Sequence, residues 1–323
     1  MAIENFVIEK QEFAPGDKGI VKLNVGRLPS DTRINMLAHI YRSKKPGPTT
    51  LILAGIHGDE INGIEIVRHL LHSKKLKKIH RGSVIVIPLV NIYGFINFNR
   101  YVPDGKDVNR SFPGTQKGSL ASRIARTLTK NILPIVDYIF DFHTGGDSRY
   151  NYPQIRYTKT DKGAFELAKV FNPPFIIQNE SIPMTLRRTA ENLNKSMVIF
   201  EGGESIRLCG ESIDLGYKGM LRALHHLGHL KEAIITASSE STVLIKKTSW
   251  LRAGFSGIFI WSQSSGTKVL KGEKLGTING PNGLKSVSVI CKKGGYIIGH
   301  NNASVVNQGD ALFHIGYEFE NIN

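Results

Sequence analysis

Residues 52–60, Ile52-Leu53-Ala54-Gly55-Ile56-His57-Gly58-Asp59-Glu60, run from an apolar stretch straight into a His-x-x-Glu. A second apolar run, 136–140, leads into Asp141-Phe142-His143-Thr144. Two strand ends that deliver two histidines and one glutamate describe a metal site with three protein ligands. Three ligands leave a fourth position for water, which separates catalytic from structural zinc. The His-x-x-Glu spacing alone is weak, because His229-Leu230-Lys231-Glu232 repeats it. That second copy is expected on a solvent-facing helix, whereas the first follows a buried strand and opens a glycine-containing turn. Asp141 is suited to orient an imidazole from behind.

Working outward, apolar runs at 49–54, 83–90, 136–140 and 197–200 alternate with helix-periodic runs at 62–72, 120–133, 165–171 and 219–231. This alternation predicts an α/β fold with a mostly parallel, mixed sheet flanked by helices. Ligands of such sheets bind beyond the carboxyl ends of strands. His57, His143 and Glu201 are each expected just past such an end, on one rim.

The composition changes after 231. Ala237–Thr242 (ASSEST) reads as a linker, and short glycine-punctuated strands follow. Val269, Gly272, Glu273, Leu275 and Ile278 recur 37 residues later as Val306, Gly309, Asp310, Leu312 and Ile315. The repeat predicts a smaller all-β barrel or sandwich over 243–323, beside a catalytic unit over 1–236 whose first 47 residues supply N-terminal strands. The repeat resembles biotinyl and lipoyl carrier domains, but no carrier-lysine motif is present, so a structural or lid role is expected.

With 41% hydrophobic and 21% charged residues among 323, the chain has the composition of a soluble globular protein. The N-terminus has Glu4 and Glu9 in place of an apolar signal core, and no stretch reaches the roughly 18 apolar residues of a membrane span. Cys209 and Cys291 stand far apart without a CxxC, which argues against cysteine-ligated zinc and fits a reducing, cytoplasmic location. The formal charge of +15 is compatible with anionic partners, an anionic small substrate among them, but reads first as a solvated basic face. The basic runs 42–45 and 74–78 lack interleaved aromatics, so no nucleic-acid platform is expected, nor a membrane partner. The composition leaves the oligomeric state open.

The segment 100–114, Arg-Tyr-Val-Pro-Asp-Gly-Lys-Asp-Val-Asn-Arg-Ser-Phe-Pro-Gly, makes the pattern specific. Together with HGDE, DFHTGG and Phe200-Glu201-Gly202-Gly203, it resembles the succinylglutamate desuccinylase/aspartoacylase family of zinc deacylases, relatives of zinc carboxypeptidases. The resemblance spans nearly the whole chain, including Val25–Ser30 and the repeat-bearing C-terminal segment. It implies a zinc-carboxypeptidase-like fold and one Zn2+ per chain, held by His57, Glu60 and His143. It further implies Glu201 as general base, Arg100 as stabiliser of the oxyanion, and Asn109 with Arg110 as binders of the substrate carboxylate.

Each role also has a chemical reason. Amide hydrolysis near neutral pH needs an activated water, and zinc lowers the pKa of bound water to about 7. A base must lie within hydrogen-bond reach of that water, and glycines after Glu201 would let backbone and substrate approach closely. A planar guanidinium reads a carboxylate through two parallel hydrogen bonds. Asp104 and Asp107 are expected to shape turns, and His225, His226 and His229 to lie on a surface. Arg187 and Arg188 are within reach of an acyl pocket. The favoured function is a zinc-dependent hydrolase of the amide bond in a small N-acyl amino acid. The alternatives are a zinc carboxypeptidase acting on short peptides and a non-catalytic basic binding protein on the same scaffold.

Overall fold

The computed structural model describes residues 4–231 and 241–322. Among them, twelve strands form one sheet. Its centre is four parallel strands, Ser83–Ile87, Thr49–Ala54, Tyr138–Gly145 and Ser196–Glu204, in that spatial order. These strands are almost wholly buried, as expected where apolar layers cover both faces. One face packs on the helix Leu120–Asn131. The other packs on Ile61–His72, Lys162–Phe171 and Gly210–His226.

The sheet is mixed rather than mostly parallel, which corrects the sequence expectation. On one side, Arg33–Arg42 joins Ser83–Ile87 antiparallel and Lys18–Arg27 follows it in a hairpin. On the other, Arg149–Tyr157 joins Ser196–Glu204 antiparallel, next to Phe175–Gln178. Ten-residue N-terminal strands that alternate buried and exposed positions mark a hairpin with one covered face. Their signal differs from the continuous apolar runs of the centre.

Several ends also differ from expectation. The strand expected at 136–140 continues to Gly145, so Asp141 and His143 lie within it rather than past it. Pro88 follows the strand Ser83–Ile87 closely. The last long helix is Gly210–His226, earlier than 219–231. Of the expected linker, 237–240 lies outside the described residues, and Thr242 already opens the strand Thr242–Arg252.

That strand pairs parallel with Phe175–Gln178 and antiparallel with Ala311–Ile322, so hydrogen bonding runs unbroken from the central sheet into the C-terminal strands. A separate four-stranded sheet completes this region, and the repeat explains its core. Val269, Leu275, Ile278, Val306, Leu312 and Ile315 are all buried in one cluster. Gly272 and Gly309 take matching positive φ of 89° and 94°. Glu273 accepts from Leu270 N at 2.8 Å, as Asp310 does from Asn307 N at 2.7 Å. Each repeat is therefore a turn capped by its own carboxylate, with three apolar anchors. No helix among the described residues is long and apolar enough to cross a membrane.

His229 is buried, contrary to the surface reading, and Glu232 lies outside the described residues. Helical periodicity is interrupted at Gly228, whose φ of 76° turns the chain inward. His229 Nδ1 donates to Arg81 O at 2.9 Å, and Nε2 accepts from Thr50 Oγ1 at 2.8 Å, which satisfies a neutral ring. Burial lowers its pKa to about 4. The unfolded chain, near 6.5, thus protonates first as pH falls. Stability present above about pH 6.5 should be lost toward pH 4, by about 3 kcal/mol for this residue. In urea titrations at pH 7 and pH 4.5, His229→Gln should lose less stability on acidification than the parent. An equal loss would show that His229 does not contribute.

Candidate metal and active site

The parallel pairing of Thr49–Ala54 with Tyr138–Gly145 sets Leu53 opposite Asp141 and Ala54 opposite Phe142. His57 and Glu60, in the turn after the first strand, therefore meet His143 near the end of the second. One ligand atom from each of His57, Glu60 and His143 lies within 4.8 Å of the others, and all three residues are buried. Gly58 permits this turn, since a Cβ there would sit 2.0 Å from the Gly94 carbonyl carbon. Glu60 precedes the first turn of Ile61–His72, where the helix dipole favours its negative charge.

Glu60 bridges the two imidazoles. Oε1 lies 2.6 Å from His57 Nδ1, and Oε2 lies 2.7 Å from His143 Nδ1. The outer nitrogens are taken by further carboxylates, His57 Nε2 by Asp107 at 3.2 Å and His143 Nε2 by Asp141 at 2.8 Å. Burial opposes ionisation of Glu60, yet the two imidazoles outweigh it and hold its carboxyl well below the usual range. Burial likewise opposes charging of His57 and His143. The acids facing them prevail, chiefly Glu60 for His57 and Asp141 for His143, and raise both rings.

Asp107 does more than shape a turn. Its Oδ1 accepts from Asn109 N at 2.7 Å, as the sequence suggests, and it also meets His57. Its Oδ2 accepts from Arg100 Nε and an outer Arg100 nitrogen at 3.1 and 2.8 Å. Arg100 in turn reaches Glu60 Oε1 at 3.3 Å. Burial would raise the Asp107 carboxyl, but His57 and Arg100 overcome that and hold it far below the usual range.

Glu201 sits directly across the parallel pairing from His143. Register shifts follow it against both neighbouring strands, a bulge of the kind that re-aims a side chain. Gly203, at φ 82°, completes the bulge, and a Cβ there would lie 2.8 Å from Asn62 Nδ2. A Cβ on Gly202 would likewise lie 2.8 Å from the Phe200 ring, so both glycines after Glu201 answer to packing. Glu201 Oε2 accepts from Asn151 Nδ2 at 2.8 Å, and Oε1 pairs with Arg156 at 3.2 Å.

His57, Glu60, His143, Arg100, Asn109, Arg110 and Glu201 all line one cavity of about 240 Å³. Asn109 Oδ1 accepts from Leu186 N at 3.0 Å, which leaves its amide NH2 as the donor group. Arg187 lines the cavity too, held by Asn179 Oδ1 and Glu180 O at 2.8 Å each. Burial, then the charge of Arg156, lowers its pKa to about 10. Arg188 turns instead to Ser181 O and Glu191. Sequence reasoning missed Arg149, Asn151, Arg156 and Trp250 in the lining. The first three lie on the strand Arg149–Tyr157, which carries no motif, and Trp250 arrives from the C-terminal strands.

The donor set fits a zinc-type cation. Two Nδ1 atoms and one carboxylate converge, and each imidazole is fixed by a carboxylate on its other nitrogen. Asp141→Asn should therefore weaken metal binding about 10–100-fold, read by competition with a chromophoric chelator. Unchanged affinity would remove the orienting role.

Comparison with known proteins places this geometry in context. The family model described as the succinylglutamate desuccinylase/aspartoacylase catalytic domain matches residues 46–227. The chain is 26% identical over 317 residues to the N-alpha-acetyl-L-2,4-diaminobutyric acid deacetylase of Halomonas elongata, covering 94% of this chain and 92% of that protein. Its fold is similar to a succinylglutamate desuccinylase/aspartoacylase from Rhodobacter sphaeroides, with TM-score 0.84, 24% identity and 95% of each chain covered. It is also similar to the product-bound ectoine utilization protein EutE (DoeB) from Ruegeria pomeroyi, with TM-score 0.83, 23% identity and 93% and 94% covered.

Proposed function

The chain belongs to the succinylglutamate desuccinylase/aspartoacylase family, and from that premise we propose that it is a zinc-dependent hydrolase of N-acyl amino acids, with its chemistry within 1–236 and a β-unit over 243–323. The observation that carries the reading is the His57–Glu60–His143 group facing the same cavity as Glu201. The Halomonas elongata relative is named for removing an acetyl group from a diamino acid, which supports a small acylated amino acid as substrate.

His57, Glu60 and His143 would hold a divalent cation, which when bound would supply Lewis acidity toward the amide carbonyl and the attacking water. Asp107 and Asp141 keep both imidazoles turned so that Nδ1 faces inward. Glu201 takes the proton from the attacking water and hands it to the departing amine nitrogen. Asn151 fixes its Oε2, which holds the carboxylate rotamer for both transfers. Arg100, pinned by Asp107, stands by the carbonyl oxygen where negative charge grows. Asn109 and Arg110 bind the carboxylate of the amino-acid half, Asn109 through its amide NH2. The cavity, of about 240 Å³, has room for an amino-acid-sized group.

The test is amine release from a panel of N-acyl amino acids and short peptides by zinc-loaded protein. Glu201→Ala should cut turnover of the acylated amino acids about 100-fold or more while still binding metal. Turnover confined to peptides would replace this reading with a carboxypeptidase. Arg110→Ala should mainly raise KM for carboxylate-bearing substrates. An unchanged KM would give carboxylate recognition to another residue.

A further inference from the structure

Arg42 opens the basic run 42–45, yet only 2% of it is exposed. It closes the strand Arg33–Arg42 and pairs with Ser83, which opens the next strand and pairs in turn with Thr49. The three residues form one cross-strand row, each more than nine-tenths buried, and all of them line a second cavity of about 250 Å³. His57 and Glu60 follow the far end of the strand Thr49–Ala54, whose six residues span about 20 Å. This cavity therefore lies at the end of the sheet opposite the active site.

The row holds donors that the fold does not use. Arg42 gives Nη2 to Glu4 O at 2.7 Å, Nη1 to Phe13 O, and Nε to Ser83 Oγ at 3.4 Å. A guanidinium has five N–H groups, so two are left without an acceptor among the described residues. Its charge meets neutral oxygens, the Phe6 ring 3.7 Å away and, at longer range, Asp17, whose carboxylate accepts from Ala14 N at 2.7 Å. Ser83 accepts from Arg42 and keeps its own hydroxyl proton to donate. The Thr49 hydroxyl has no hydrogen-bond partner among the described residues. Pinning of the N-terminal strands accounts for the contacts to Glu4 and Phe13. It accounts for neither hydroxyl, nor for a buried charge without a facing acid.

The mouth is basic as well. Lys45 lines it, and Arg81 is drawn beside it by donating from Nε to Pro46 O at 3.1 Å. Neither forms an ion pair among the described residues. The acid in the lining, Glu4, is exposed, and Asp137, behind Thr49, accepts from Thr49 N at 2.8 Å. Burying a charge without a counter-charge is costly. A phosphate group carries about −1.5 to −2 charge near neutral pH and several strong acceptor oxygens, which suits a guanidinium, two hydroxyls and an ammonium.

We propose that this cavity is a second binding site, for the phosphate group of a small molecule or a lipid headgroup, with Arg42, Ser83 and Thr49 as its donors and Lys45 and Arg81 at its mouth. It stands apart from the hydrolase reading, since the two cavities share no lining residue.

The experiment follows backbone amide resonances of the 15N-labelled full chain as inorganic phosphate is added, with ionic strength held constant by chloride. Saturable shifts are expected at Gly47 and Gly82, which line the cavity. Thr49→Val and Lys45→Gln should each weaken this binding about 5–10-fold. These two variants decide the matter because Arg42 also pins Glu4 and Phe13, and thermal melting establishes that both are folded. Shifts confined to the active-site end, or none that saturate, would overturn the proposal, as would unchanged affinity in both variants. Glycerol 3-phosphate and vesicles containing phosphatidic acid then separate the sources. Tighter binding of glycerol 3-phosphate than of inorganic phosphate assigns a soluble monoester, whereas vesicle sedimentation lost in Lys45→Gln assigns a headgroup.

Discussion

Glu60 shared between two imidazoles is the contact on which the site depends. Charges so deeply buried are costly unless each has a partner. Here the partners form a chain, Asp107–His57–Glu60–His143–Asp141, with Arg100 closing onto both Asp107 and Glu60. Removing one link leaves its neighbour unpaired in a medium of low polarity. The network also demands that the strands bearing its members keep their register, since a slip of one residue would turn His143 to the opposite face of the sheet.

That constraint explains why the central strands are apolar on both faces and the edges are not. The middle of the sheet is fixed by cores on each side, so its end can hold charged groups at set distances. The antiparallel additions serve a different purpose. Arg149–Tyr157 brings Asn151 and Arg156 to Glu201, and the strand Thr242–Arg252 brings Trp250 to the cavity wall. His57, Glu60, His143 and Glu201 belong to the parallel centre and the turns at its end, while Arg149, Asn151, Arg156 and Trp250 reach the pocket from its antiparallel flank.

The sequence was legible where chemistry follows an apolar run. His57, Glu60 and His143 stand out because polar residues that end buried strands have few structural reasons to be there, and the structure gathers them. Asp107 was half legible. Its turn role is local, but its contact with His57 spans fifty residues of sequence and no spacing announces it. Arg156 and Asn151 lie in Arg149–Tyr157, whose pattern reads as an ordinary amphipathic strand. His229 was misread because the helix was read through Gly228, whose positive φ ends it and turns the chain inward. The repeat in the C-terminal region was clear, since turn and core residues recur together, but its continuity with the central sheet was not, because pairing partners leave no local trace.

The strand Ala311–Ile322 lies inside the sheet, between Thr242–Arg252 and Gly295–Asn301, both of which precede it in the chain. A chain emerging from the ribosome therefore presents the Thr242 strand with an unmatched edge until some seventy further residues have been made. The same strand carries Trp250 into the cavity wall. Completion of the pocket is thus tied to a late, long-range closure of the sheet, and the nascent protein carries His57, Glu60 and His143 well before it can shape the space around them.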